Sequence, residues 1–202
     1  MGIKALLGSV LMTTAIVGAT GTASAAGYRN RYDREVGYFS LGAAFNYGIW
    51  TGDGNVNAFG PAIGVRGGVT LDPGLYLGAD FDYFFGEKRS DSAFGVSGSG
   101  RVNVYDVMGE IGYDFWLHRA GVLRPKIGLG VGVGKGTRCL SVGAAGGCAS
   151  DSTSGFAISA GAEYMHYFGS AFLSLEARYE NISIDGPDPN AVILGVGLGV
   201  TL

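Results

Sequence analysis

The sequence predicts an all-β protein, an eight-stranded antiparallel up-and-down transmembrane β-barrel. Three observations carry that prediction. First, the last stretch, Ala191–Leu202, places Val192, Leu194, Val196, Leu198, Val200 and Leu202 on one parity and mostly small residues on the other. Side chains of a strand alternate between faces, so this segment has one aliphatic face and one nearly bare face. Second, seven upstream segments repeat the rule with no helical period between them. Third, short turns alternate with longer polar links, as in barrels with periplasmic turns on one side and extracellular loops on the other.

The chain has 202 residues with 38 glycines, 5 prolines and only 15% charged residues, a length that suits one domain. Lys4, the apolar run to Ala19 and Ala23-Ser24-Ala25 form the charged, apolar and small-residue regions of a cleaved secretory signal over residues 1–25. That apolar run is shorter than the about 20 residues a spanning helix needs. Removing it takes away Lys4 and no acid, leaving 13 basic against 17 acidic residues, so nothing suggests a nucleic-acid partner. Residues 26–35 are polar and charged and read as a short tail, and the barrel is expected over residues 36–202.

The first strand carries Phe39, Leu41, Ala43, Phe45, Tyr47 and Ile49 against Ser40, Gly42, Ala44, Asn46 and Gly48, and TGDGNVN follows as a turn-rich loop. In residues 58–71, Phe59, Ile63, Val65, Val69 and Leu71 oppose Gly64, Arg66, Gly68 and Thr70; Pro61 belongs near the strand end. After the turn Asp72-Pro73-Gly74, Leu75, Leu77, Ala79, Phe81, Tyr83 and Phe85 oppose Tyr76, Asp80 and Asp82. Residues 86–100 read as a long polar loop. Next, Tyr105, Val107, Ile111, Tyr113 and Phe115 oppose Met108, Glu110, Gly112 and Asp114.

The fifth strand sets Leu123, Pro125, Ile127, Leu129, Val131 and Val133 against Arg124, Lys126 and four glycines. A second long loop, residues 135–154, holds Cys139 and Cys148. One close pair in an exported chain points to a loop disulfide, and no nearby histidine suggests a metal. In residues 155–165, Phe156, Ile158, Ala160, Ala162 and Tyr164 oppose Ser159, Gly161 and Glu163. In residues 171–181, Leu173, Leu175, Ala177 and Tyr179 oppose Ser174, Glu176, Arg178 and Glu180. The link ISIDGPDPN leads to the final strand.

A soluble eight-stranded barrel such as a lipocalin also needs one apolar face, but its polar face meets water. Here the non-aliphatic face is mostly Gly, Ala and Ser. Glycine costs entropy in a strand and gives a wet surface little, whereas inside a narrow barrel it makes room for long side chains opposite. Aromatics gather at two levels, Phe39, Tyr113, Phe115, Tyr164 and Phe172 at one and Tyr47, Trp50, Phe59, Tyr83, Phe85, Phe156 and Tyr179 at the other, resembling interfacial girdles.

With its signal peptide, eight strands, inward charges and alternating terminal strand, the chain resembles the OmpA/OmpX-type small outer-membrane proteins over about residues 36–202. The resemblance implies a bacterial outer-membrane location, periplasmic termini, a monomer, contact with outer-membrane lipid, and insertion by the barrel assembly machinery. That machinery would read Val196, Leu198, Val200 and Leu202 as an assembly signal. Many such proteins end on Phe, and Leu202 departs from that pattern.

By parity the interior charges are Arg66, Arg124, Lys126 and Arg178 against Asp80, Asp82, Glu110, Asp114, Glu163, Glu176 and Glu180. Charges in a low-dielectric lumen need partners, so a salt-bridged plug is expected in the lower half with a water-filled vestibule above. The interior of eight strands is only just wide enough for side chains, which favours a plug over a conducting pore. Catalysis finds little support, since His118 and His166 are the only histidines and fall in short turns with no nucleophile spacing. Gly134-Lys135-Gly136 lacks the Ser or Thr of a phosphate loop, the GLGVGVG run is strand alternation, and the Asn181-Ile182-Ser183 sequon is accidental in a bacterial barrel. No cofactor is expected. Function is expected in the loops, residues 86–100 and 135–154, as a structural or adhesin-like surface role with a possible extracellular ligand. The alternatives are a narrow, weakly cation-preferring pore and, third, a lipid-processing enzyme.

Overall fold

The computed structural model describes residues 37–51, 58–93, 96–142, 145–183 and 189–202. The expected signal peptide and polar tail, with most of the first and last extracellular links, lie outside them. The described residues form β1 (Tyr38–Trp50), β2 (Gly60–Leu71), β3 (Leu75–Phe84), β4 (Lys88–Ala93), β5 (Val96–Tyr113), β6 (Phe115–His118), β7 (Gly121–Val142), β8 (Ala145–Phe168), β9 (Ala171–Ser183) and β10 (Asn190–Thr201). No helix among them is long and apolar enough to cross a membrane.

Ten strand segments make eight barrel strands. β3 and β4 both pair with β5, and β5 and β6 both pair with β7, so each couple is one interrupted strand. Every neighbouring pair is antiparallel, and the ring closes where β1 meets β10, from Ser40 opposite Thr201 to Trp50 opposite Ala191. The tight turns fall at Asp72–Gly74, Arg119–Ala120 and Gly169–Ser170.

The interruptions have local causes. A Cβ at Gly86 would run into the Val102 carbonyl, so the chain can pass only as glycine between β3 and β4. Asp114, between β5 and β6, donates its amide to Gly74 O at 2.8 Å and turns its carboxylate inward. Gly60 has φ of 66°, and this left-handed residue swings Phe59 off the strand parity. Phe59 is therefore fully buried, not lipid-facing as alternation predicted, and Phe172 is likewise interior and not part of a rim.

The aliphatic parity faces outward throughout. Leu41, Phe45, Ile63, Val65, Val107, Ile127, Leu129, Leu175, Leu194 and Leu198 are exposed, while every charge predicted inside is buried. A soluble fold would reverse this, so the outer surface is matched to hydrocarbon.

The long polar links are paired strand, not loop. Residues 88–93 pair with residues 96–101 as a ladder between β4 and β5, and β7 and β8 stay paired from Gly121 opposite His166 up to Val142 opposite Ala145. Together with the β5–β7 ladder, which runs up to Val96 opposite Val142, these strands continue beyond the barrel wall as one four-stranded sheet. The Ser- and Gly-rich composition hid this, because such sequence resembles loop whether or not the backbone is paired.

Candidate functional site

Two regions carry chemistry: the lumen and the projecting sheet. In the lumen, the register puts a glycine beside many of the polar chains. Gly78 and Gly128 flank Glu110, Gly112 and Gly161 flank Lys126, Gly195 neighbours Glu176, Gly64 neighbours Asp82, and Gly132 neighbours Asp106. The bare positions of one strand make the volume that the ionic side chains of the next occupy.

Those side chains form one connected network. Arg124 grips Asp114 through Nε–Oδ1 at 2.5 Å and Nη2–Oδ2 at 3.0 Å, and its Nη1 lies 3.7 Å from Glu163. Its guanidinium carbon sits 3.6 Å from the Tyr76 ring centroid. Arg66 joins Glu163 at 3.0 Å to Glu176 at 2.6 Å. Lys126 joins Glu176 at 3.0 Å to Glu110 at 2.7 Å. Arg178 is the hub, reaching Asp80 at 2.5 Å, Glu180 at 3.2 Å and Glu176 at 3.4 Å, with a further short contact to Asp82. Asn46 donates to Asp82 at 2.7 Å, and the Tyr38 hydroxyl donates to Asp114 at 2.5 Å. All eleven charges of the predicted interior set thus meet in one network. Each of these eleven charges has an oppositely charged partner, which burial in a low-dielectric lumen requires.

One interior acid beside this network was missed. Asp106 lies directly opposite Asp82, is fully buried, and neither of its oxygens has a hydrogen-bond partner. The signal was present, because Asp106 is two positions from Met108 and shares its inward parity. Tyr38, Asn46, Thr70 and Tyr76, which complete the shell around the ions, were not singled out either.

The ionic layer is sealed at both ends, which corrects the expected vestibule. Toward the projecting sheet, Phe59, Phe84, Val104, Met108, Ile182 and Ile193 form a buried apolar cluster with Trp50 and Val102 packed on it; Phe59 and Phe84 meet edge-on at 5.0 Å. At the turn end, Val122, Met165, Tyr167 and Phe172 pack with Trp116, which stacks on Tyr167 at 5.8 Å. Periodicity placed Met108 and Ile193 on the inward parity, but it put Phe59 and Phe172 outside and gave no sign that these side chains would meet as two caps.

Cys139 and Cys148 face each other across the β7–β8 ladder and are joined as a disulfide. The bond clamps the distal hairpin of the projecting sheet. Ser97 and Ser141 hydroxyls lie 2.7 Å apart across β5 and β7, a further tie near the tip.

His118 and His166 sit at the turn end, their rings 5.8 Å apart, each within hydrogen-bond reach of the Tyr164 hydroxyl. Among the described residues no group of three or more His, Cys, Asp or Glu is arranged to hold a metal ion.

Val196, Leu198 and Val200 lie on the outer face of β10, and Leu202 exchanges backbone hydrogen bonds with Phe39 across the seam.

No curated protein sequence matches the chain. Among solved structures it is similar to Ail, the attachment invasion locus protein of Yersinia pestis, at 17% identity with a TM-score of 0.50 over 81% of this chain and 97% of that one. The same protein in complex with the heparin analogue sucrose octasulfate matches at 18% identity and a TM-score of 0.52, again over 81% and 97%. A major outer membrane protein from Thermus thermophilus matches at 9% identity and a TM-score of 0.52 over 82% of this chain and 99% of that one. At these identities the likeness is one of fold. The outer membrane protein beta-barrel domain model matches residues 12–201, nearly the whole sequence, and the chain belongs to that family of bacterial outer-membrane proteins.

Proposed function

We propose that this barrel is a non-catalytic scaffold whose surface role, adhesin-like in kind, is carried by residues 86–100 and 135–154. The observation that supports this reading most is the contrast between a filled lumen and a long projecting sheet. Hydrocarbon is crossed by about ten tilted residues per strand, whereas β7 and β8 run to 22 and 24 residues. The surplus, at about 3.3 Å per residue, carries the paired hairpin some tens of ångströms along the strand direction past the membrane. A rigid, disulfide-clamped sheet presents side chains in fixed positions, so little ordering entropy is lost when a partner binds.

On this reading residues 1–25 are removed at export, residues 26–35 are a periplasmic tail, and the barrel works as a monomer. Its assembly signal is the alternating outer face of β10 and the following Leu202. The complex of Ail with a heparin analogue makes sulfated polysaccharide a reasonable first ligand to try at the sheet. The test is binding of the folded full-length chain to immobilised heparin and to host cells, beside a variant with residues 135–154 trimmed to a short turn. Loss of binding on trimming, with heat-shifted gel mobility retained, is the expected result; undiminished binding would remove the sheet from the function.

A further inference from the structure

The outer face of the projecting sheet has a basic foot. In an antiparallel ladder directly opposed residues point to the same side, and Tyr83, Tyr105, Val133 and Ser154 make one rung on the outside. Tyr105 is exposed, and Tyr83 meets exposed Phe85 edge-on at 4.9 Å, which marks this rung as the interfacial aromatic belt. The next outward rung is Asn103, Lys135 and Ser152, and the one above it is Lys88, Arg101, Thr137 and Ser150.

Lys88, Arg101 and Lys135 are all exposed. Arg101 lies directly opposite Lys88 and diagonal to Lys135, so three cations converge on adjacent strands. No position of these two rungs is acidic, and Asp151 opposes Gly136 on the other side of the sheet. Like charges side by side repel, and a cluster with no ion pair among the described residues therefore favours an anion. Two residues advance a strand by about 7 Å. With strands tilted by roughly 40°, the two rungs stand about 5 and 10 Å above the aromatic belt. That is the depth of lipid headgroups, below anything approaching from the medium.

We propose that Lys88, Arg101 and Lys135 bind the phosphate groups of phosphorylated glycolipid in the outer leaflet. Arg101 offers a planar fork suited to two phosphate oxygens, and the two lysines act as point charges beside it. The hydroxyls of Thr137, Ser150 and Ser152 supply further donors on the same rungs. The lipid so held would brace the foot of the sheet against the bilayer.

The experiment titrates fluorescent diphosphoryl lipid A onto the folded full-length chain in zwitterionic micelles. Replacing Lys88→Ser, Arg101→Ser and Lys135→Ser together should weaken binding about 100-fold, roughly fivefold per cation, with the gel heat shift intact. Arg138→Ser, on the opposite face, should leave binding unchanged, and raised salt should weaken it in the wild type. Arg101→Ser alone serves if the triple variant does not fold. Equal affinity for fully dephosphorylated lipid A, unchanged binding by the cation variants, or displacement of the lipid by equimolar inorganic phosphate would each overturn the proposal. Heparin binding is read separately, so either result stands without the other.

Discussion

Arg178 and Asp80, 98 positions apart in sequence, meet across the lumen with Nη1 2.5 Å from Oδ2. The contact joins β9 to β3, which are not neighbours in the barrel wall. It therefore ties the ring through its middle, where backbone pairing acts only around the circumference. Arg178 also bonds Asp82, Glu176 and Glu180, so its removal takes the cation from Asp80, Asp82 and Glu180 at once, while Glu176 keeps Arg66 and Lys126.

Arg178→Met should thus cost about 3–5 kcal/mol, the range for breaking a buried ion pair by removing one partner. The temperature at which the folded band converts to the slower unfolded band in gels should fall. A midpoint within a degree of wild type would mean that the lumen is hydrated enough to solvate the stranded acids.

Asp106 predicts the opposite sign. Its carboxylate is fully buried with both oxygens unpaired and faces the Asp82 side of the network. Asp106→Leu removes an unsatisfied polar group, whose burial costs about 1–3 kcal/mol, and should raise the same midpoint. A drop comparable to that of Arg178→Met would show that Asp106 has a partner in the folded protein.

The upper cap controls access to the ionic layer. Phe59→Ala with Phe84→Ala removes both rings from the lumen beneath the projecting sheet, at about 3–5 kcal/mol each if the cavity stays empty. Planar-bilayer recordings should show no steady steps for wild type and a small conductance for the double variant. Steady steps in the wild type would revive the pore.

Lipid exposure of the seam is tested at Leu198, the most exposed of the large apolar side chains on β10 at 68%. Leu198→Arg places a charge on the hydrocarbon face and should cost about 2–4 kcal/mol near the midplane. Ile193 is on the same strand but fully buried, so a bulkier side chain there should destabilise by overpacking to the same degree in thin and thick bilayers. Refolding yields in thin and thick bilayers separate the two effects.

Replacing Cys139 and Cys148 by serine should leave the barrel midpoint unchanged while exposing residues 135–154 to limited proteolysis. The clamp closes a short hairpin, and by chain entropy a loop of this size gains about 3 kcal/mol. Cleavage at equal rates with and without the bond would show that the ladder alone holds the hairpin.

Residue alternation determined most of this molecule. Period two, with Leu, Val and Ile on one parity and Gly, Ser and charge on the other, dictates strand type and inside and outside, because side-chain direction in a strand is a local property. The interior set from Arg66 to Glu180 was readable for the same reason, and Asp106 would have been had the parity been followed without a gap. Tertiary structure alone decided three things. It decided that Arg178 would gather acids from two strands, since parity assigns a face and not a partner. It turned Phe59 inward through the positive φ of Gly60, which no alternation rule contains. It also paired the Gly- and Ser-rich residues 88–93 with 96–101 and 135–142 with 145–152 into a sheet, because a ladder's stability comes from the neighbouring strand, and weak β formers pair when the register of the barrel below already holds them in line.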